Sequence, residues 1–205
     1  MKRLVLISFL LYSIFLFVPS FSYASMLEYI ADSWTQIGKD VQLLKEEMMT
    51  LFAAGVTKTD AKSNADKIIG GIGSIVDKIT SIKNDCELME SMDRYGTNYS
   101  WCHGYFRVYA SETADIFLKV GDYCVKNSLF EDARNIYRRI IINYTGIAYK
   151  SYVRQAEFGL EDIRTLEEKE RVEKEKLEQA KKEEEAKKLQ EQQKAKALKK
   201  RKGNP

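Results

Sequence analysis

Few side chains in this sequence could do chemistry. His103 is the single histidine among 205 residues, and the cysteines are Cys86, Cys102 and Cys124. A lone imidazole leaves no histidine cluster for a metal and little for proton transfer near neutral pH. Cys102 and His103 adjoin, which raises the idea of a thiol beside its base. Neighbours on a helix point about 100° apart and do not face each other, so the pair does not form a catalytic unit. Three cysteines allow three pairings. In an oxidising compartment Cys86 and Cys102 would staple the end of one helix to the start of the next. That pairing is preferred because Cys124 falls on a buried helical position. A closed loop of this size contributes roughly 3 kcal/mol by chain entropy. No paired carboxylates, phosphate loop or metal-ligand spacing appears. The cluster Gly70, Gly71 and Gly73 lies in a helical pattern with no strand before it, so it fails the dinucleotide test. The expectation is a non-enzyme with no catalytic, cofactor-binding or metal-binding residue. Asn98-Tyr99-Ser100 and Asn143-Tyr144-Thr145 match the glycosylation sequon, which matters only in a eukaryotic source.

With 44% hydrophobic and 31% charged residues, the chain is long enough for one domain, or one domain with an appendage. The only prolines are Pro19 and Pro205, which favours long uninterrupted helices. The net charge of +3 averages unlike regions. Residues 1–24 carry +2, residues 25–164 hold 17 basic against 20 acidic side chains, and residues 165–205 hold 14 against 10. The first region has the layout of a secretory signal peptide. Lys2 and Arg3 precede an uncharged apolar run from Leu4 to Val18, Pro19 ends it, and Ser22-Tyr23-Ala24 supplies small residues before a cut after Ala24. The run of 15 is short against the roughly 20 residues of a spanning helix. No cysteine stands beside the cut, which argues against a bacterial lipid anchor. The mature chain is therefore expected outside the cytoplasm, periplasmic or secreted.

Two heptad seams organise residues 25–90. Leu27, Ile30, Trp34, Ile37, Val41, Leu44, Met48 and Leu51 recur at alternating intervals of 3 and 4, as do Ala61, Ala65, Ile68, Ile72, Ile75, Ile79, Ile82, Cys86 and Met89. Gly55 interrupts between them, and the second helix is expected to cap at Thr59 or Asp60. The seams predict a long antiparallel hairpin with arms of roughly 40 Å, or pairing between two copies. Glycine within a helix costs on the order of 1 kcal/mol against alanine, so the cluster at 70–73 needs an offset. Close helix–helix approach is one; a segment lying on or in a membrane is the other. Residues 91–104 are read as a loop.

Residues 114–147 resemble a tetratricopeptide repeat, a 34-residue helix–turn–helix with large and small residues at fixed offsets. Phe117 takes the aromatic site, Val120-Gly121 the Leu-Gly site, Cys124 the next aromatic site, Ala133 the small site, Tyr137 the second aromatic site and Ile140 the following small-apolar site. Thr145 stands where the family usually has Pro, Cys124 replaces Tyr, and Ile140 is larger than the common Ala. The match covers 34 of 205 residues. The stretch from Phe130 through Tyr144 resembles repeats of periplasmic proteins that assist envelope assembly. The resemblance implies a groove for a protein partner at Asp115, Leu118, Asp122 and Lys126. One repeat cannot bury its own core. Residues 105–113 and 148–165, with Tyr149, Tyr152, Ala156, Leu160 and Ile163 in helical register, are expected to complete a region spanning 105–165.

Residues 166–205 read as a solvated charged helix or disordered tail. Glu178–Lys182, Glu183–Lys187 and Glu184–Lys188 each add about 0.2–0.5 kcal/mol to an exposed helix. Val172, Leu177, Ala180, Ala186 and Leu189 are too sparse for a coiled coil. The segment from Lys194 to Lys202 carries six positive charges and no acid, which suits anionic lipid, cell-wall polymer or an acidic protein. The export signal and the acidic middle argue against nucleic acid. The expected fold is all-α: hairpin, repeat-like region, charged helix. The expected function is a helical adaptor or scaffold that binds proteins in the bacterial envelope or a secretion apparatus, with self-association through the seams as an option. The alternative is an effector acting on membranes through the glycine-rich arm and the basic tail.

Overall fold

A computed structural model describes residues 2–53, 57–93 and 99–202, with side chains over 24–53, 57–93 and 99–188. The leader's side chains, Gly55, residues 94–98 of the 91–104 loop with Asn98 among them, and the basic side chains of 194–202 lie outside these residues. The described chain is all-α: α1 Lys2–Ala53, α2 Lys58–Met92, α3 Ser100–Lys126, α4 Phe130–Asn143, a 3₁₀ turn Ile147–Tyr149, and α5 Lys150–Lys202. Residues 1–159 form one compact unit and 160–205 a second. The hairpin and the repeat-like region share the first unit.

The two seams become the buried faces of α1 and α2. Every residue of the second seam is buried, as are Ile30, Trp34, Ile37, Val41, Leu44 and Met48 of the first; Leu27 and Leu51 at its ends are half-buried. Each fully buried Ile contributes roughly 1.5–3 kcal/mol. The helices run antiparallel within one chain: Lys78 pairs with Asp40 at 2.7 Å, Lys67 with Glu47 at 2.5 Å, and Asn64 Nδ2 donates to the Leu51 carbonyl at 3.2 Å. Burial alone would raise the Asp40 carboxyl; hydrogen bonds from Lys78 and Gln36 overcome it and hold the group below its ordinary value. The first seam from Ile30 to Met48 and the whole of the second are buried within the chain.

The cap of α2 is Thr57, not Thr59 or Asp60. Its hydroxyl accepts from the Asp60 amide at 3.3 Å and donates to the Asp60 carboxylate at 2.7 Å. Asp60 thus fills the third helical position, where its charge also suits the helix dipole. The loop is shorter than 91–104, because α2 continues to Met92 and α3 already begins at Ser100.

α3 is the third member of the hairpin's bundle. Gly38 lies against Tyr109, Trp34 stacks near Tyr105 and Tyr109, and Phe52 stacks on Tyr123 at 3.8 Å. The shared offset of 71 positions in Gly38–Tyr109, Trp34–Tyr105 and Phe52–Tyr123 sets α3 parallel to α1. Lys45 and Glu112 form an ion pair along the same line.

The glycine cluster splits by environment. A Cβ on Gly71 would lie 2.5 Å from Leu44 Cδ1, whereas Gly70 and Gly73 meet nothing within 4 Å. Close approach therefore accounts for one glycine of the three. Ile68, Ile72 and Ile75, the apolar face beside them, are buried. Gly70→Ala and Gly73→Ala are each expected to stabilise by about 0.5–1 kcal/mol, from helix propensity and reduced unfolded-state freedom. Gly71→Ala should lose that gain, because the buried Leu44 must turn aside. Urea unfolding followed by circular dichroism checks this; an equal gain at all three positions would remove the packing role of Gly71.

From Glu168 to Lys188 the second unit is a solvated stretch of α5. Arg171 bonds Glu168 at 2.7 Å and Glu175 at 3.1 Å, and Lys188 bonds Glu184 at 2.6 Å. Leu177, Ala180 and Ala186 are exposed, which fits a helix held by local ion pairs rather than by a coiled-coil seam.

Candidate functional site

The residues that carry the repeat resemblance meet as an antiparallel pair. Phe117, Val120, Gly121 and Cys124 of α3 and Ala133, Tyr137 and Ile140 of α4 are all buried. The turn between them closes α3 in a Schellman arrangement: Leu129 N–H bonds the Cys124 carbonyl at 2.8 Å and Ser128 N–H that of Val125 at 3.0 Å. Ser128 takes the left-handed position with φ 56°. The Tyr137 ring lies between two glycines. A Cβ on Gly121 would come 2.5 Å from Cε1, and one on Gly159 would come 2.5 Å from Cε2. The phenol donates to Asp122 at 2.6 Å. Burial pushes the Cys124 thiol up to about 12, with Asp132 adding to the effect, so it stays protonated and unreactive. The first helix is 27 residues long, which carries it far beyond the start of the repeat at Ala114.

The four groove positions do not form one open surface. Leu118 is only 6% exposed, so it belongs to packing rather than to a groove. Asp115 is held by Lys119 at 2.7 Å, and Asp122 is occupied by Tyr137. Lys126 is exposed in the last turn of α3. The family register places such residues on a first-helix face that is open in a solenoid; here the bundle crowds α3 from the hairpin side.

Cys86 and Cys102 are joined in a disulfide, their Cα atoms 6.6 Å apart, and Cys124 is free and buried. The bond ties the last turns of α2 to the first turn of α3. His103 Nε2 lies 3.2 Å from Glu90 across the same junction. Trp34 Nε1 donates to Cys102 Sγ at 3.3 Å, so the junction also takes in α1.

Two larger concave surfaces stand out among those that the described residues form. A shallow groove of about 620 Å³ between α1 and α3 is lined by Thr35, Gly38, Lys39, Gln42, Leu43, Tyr105 and Tyr109. Leu43 is 62% exposed and Tyr105 45%. Trp101 meets Tyr105 edge-on at 6.2 Å, extending the aromatic row. Partial burial raises the Tyr109 phenol, helped by Tyr105 and Glu112, so it remains a neutral donor at any physiological pH. The second surface is a cleft of about 570 Å³ where α2, α3, α4 and the 3₁₀ turn converge. Its inner wall holds Thr113, which is fully buried, donates to the Ala110 carbonyl at 2.9 Å and shares a hydrogen bond with the Tyr144 hydroxyl at 2.9 Å. Burial raises the Tyr144 phenol despite the Thr113 bond. Sequence reasoning missed both surfaces. Tyr105 and Tyr109 were visible only as an extension of the repeat, and nothing local pairs them with Trp34 or Gly38 some 71 positions away.

Among the described residues, no group of three or more His, Cys, Asp or Glu side chains is placed to hold a metal, and no helix is long and apolar enough to cross a membrane. No family model, curated protein or solved structure matches this chain.

Proposed function

We propose that the chain is an exported, non-catalytic helical adaptor that binds other proteins in the envelope or a secretion apparatus of a bacterium. The observation that carries the reading is the aromatic groove between α1 and α3. Leu43 and Tyr105 keep large apolar area in water on a helical body whose seams are otherwise fully used. A concave apolar surface rimmed by Lys39, Gln42 and Thr35 has the makeup of a protein contact. Tyrosine supplies contact area at low entropic cost and keeps a hydroxyl for the partner.

Export is supported from two sides. The leader has the order basic, apolar, small, and the Cys86–Cys102 disulfide suits an oxidising compartment. The repeat-like reading of residues 114–147 is supported by the Gly121–Tyr137–Gly159 stacking of three successive helices, which is how a repeat pair gains the neighbour it requires. The basic end from Lys194 to Lys202 would add an electrostatic contact with an anionic envelope surface.

The test is a paired substitution. Leu43→Lys with Tyr105→Lys should abolish recovery of the envelope protein that the unaltered chain captures, while the chain stays folded with a lowered unfolding midpoint, because Leu43 faces water and Tyr105 gives up its stacking on Trp34 and Tyr109. Capture that survives the double substitution would move the partner surface elsewhere.

A further inference from the structure

The cleft between α2 and α4 has features that the adaptor reading does not assign. Its opposite walls carry Asp77 on α2 and Arg139 on α4. Both side chains are exposed, and neither forms an ion pair or hydrogen bond with another described residue. Phe106, Phe117 and Tyr149 line the space between them. The Tyr149 hydroxyl is buried and makes no hydrogen bond among the described residues. A buried polar group without a partner is uncommon, and its desolvation cost is recovered when a ligand supplies one. Ile142, 70% exposed, stands at the mouth.

We propose that this cleft binds an extended peptide segment of a partner protein, through one apolar or aromatic side chain flanked by residues of opposite charge. The proposal rests on the adaptor reading and gives its partner a chemistry. The apolar side chain would lie on Phe106 and Phe117. An acidic neighbour would meet Arg139, which presents a planar fork suited to a carboxylate, and a basic neighbour would meet Asp77. A peptide carbonyl would accept from Tyr149. A purely anionic ligand such as a fatty acid or phosphate fits less well, because Asp77 would repel it across the same cleft. A purely cationic ligand meets Arg139 in the same way.

The charge pattern gives a specificity test on the purified full chain. The probes are capped, fluorescein-labelled pentapeptides with a central Phe. Its neighbours are Lys and Glu in either order, Lys on both sides, or Glu on both sides. With the unaltered chain, one mixed-charge peptide should bind about fivefold tighter than either like-charged peptide by anisotropy. Arg139→Glu makes both walls acidic and should transfer the preference to the Lys-flanked peptide. Asp77→Lys should transfer it to the Glu-flanked one. Arg139→Gln, which leaves Asp77, should bring the Lys-flanked peptide level with the mixed one, and Asp77→Asn, which leaves Arg139, should do the same for the Glu-flanked one. Absence of saturable binding by every peptide, or one ranking shared by all five proteins, would overturn the proposal. The Leu43 and Tyr105 substitutions should leave this ranking intact, so failure of the cleft and failure of the α1–α3 groove are separable.

Discussion

Tyr137→Ala is expected to remove about 3–5 kcal/mol of unfolding free energy, the range for truncating a large buried aromatic. Total stability for a domain of this kind is about 5–15 kcal/mol, so the variant should be close to unfolding near body temperature. The size of the effect follows from where the ring sits. Gly121 on α3 and Gly159 on α5 both approach it within the distance of a missing Cβ. Removing it therefore empties the contact that joins three helices at once, and the rigid backbones on either side cannot collapse fully into the space. Tyr137→Phe keeps the ring and loses the bond to Asp122, so about 1 kcal/mol is expected, because the Asp122 carboxylate is exposed and regains water. Gly159→Ala tests the same contact from the other side. The added methyl meets the ring edge, and a loss of about 1–3 kcal/mol is expected although alanine is the better helix former. Urea unfolding monitored at 222 nm measures all three. A Tyr137→Ala loss of the same size as the Tyr137→Phe loss would show that the ring is not the joint.

Trp34→Ala is expected to cost a similar amount, about 3–5 kcal/mol, at the opposite end of the bundle. Trp34 is fully buried among Ile30 and Ile37 of its own seam. It meets the Tyr105 and Tyr109 rings at 6.1 and 5.9 Å and donates to the Cys102 sulfur. One side chain thus couples α1 to the α2–α3 junction that the disulfide closes. Two consequences distinguish this from a plain core cavity. The Cys86–Cys102 bond should become reducible at lower dithiothreitol concentration, because the sulfur loses its cover. The Tyr105 and Tyr109 rings should also lose their support, so the α1–α3 groove should bind its partner more weakly even at temperatures where the chain stays folded. Trp34→Phe keeps most of the ring area and loses the indole N–H, and should lie between the two. A Trp34→Ala chain with unchanged disulfide sensitivity would break the link between this residue and the junction.

Much of the fold was legible because it is periodic. Nine positions from Ala61 to Met89 form one seam, and all nine are the buried face of α2. The same holds from Ile30 to Met48 on α1. At the turn from Asn127 to Leu129, serine rather than glycine takes the left-handed position. What was not legible depends on pairs far apart in sequence. Periodicity places Trp34 on a buried face without saying that Tyr105 and Tyr109 lie against it. Tyr105 and Tyr109 therefore looked like a prelude to the repeat, when their helix is the third member of the hairpin's bundle. Glycines were the least readable residues. Gly38, Gly71, Gly121 and Gly159 each face a specific large side chain on another helix, whereas Gly70 and Gly73 face open space. A helical glycine looks the same in both cases until its neighbour is known. The family register did not reveal that the groove position Leu118 is buried, for a related reason. Register says which face of α3 a residue occupies, and only packing says whether that face is covered, as it is at Leu118.

The claim at the centre is that this helical body is exported and grips another protein through the face where Leu43 and Tyr105 stand open. Site-specific photocrosslinking in the native cell reads it most directly. A benzophenone side chain placed at position 43 or 105 should give one discrete adduct, to the same envelope protein from both positions, and placed at the exposed position 151 on α5 should give none. No adduct from 43 and 105, or the same adducts from all three positions, would contradict it.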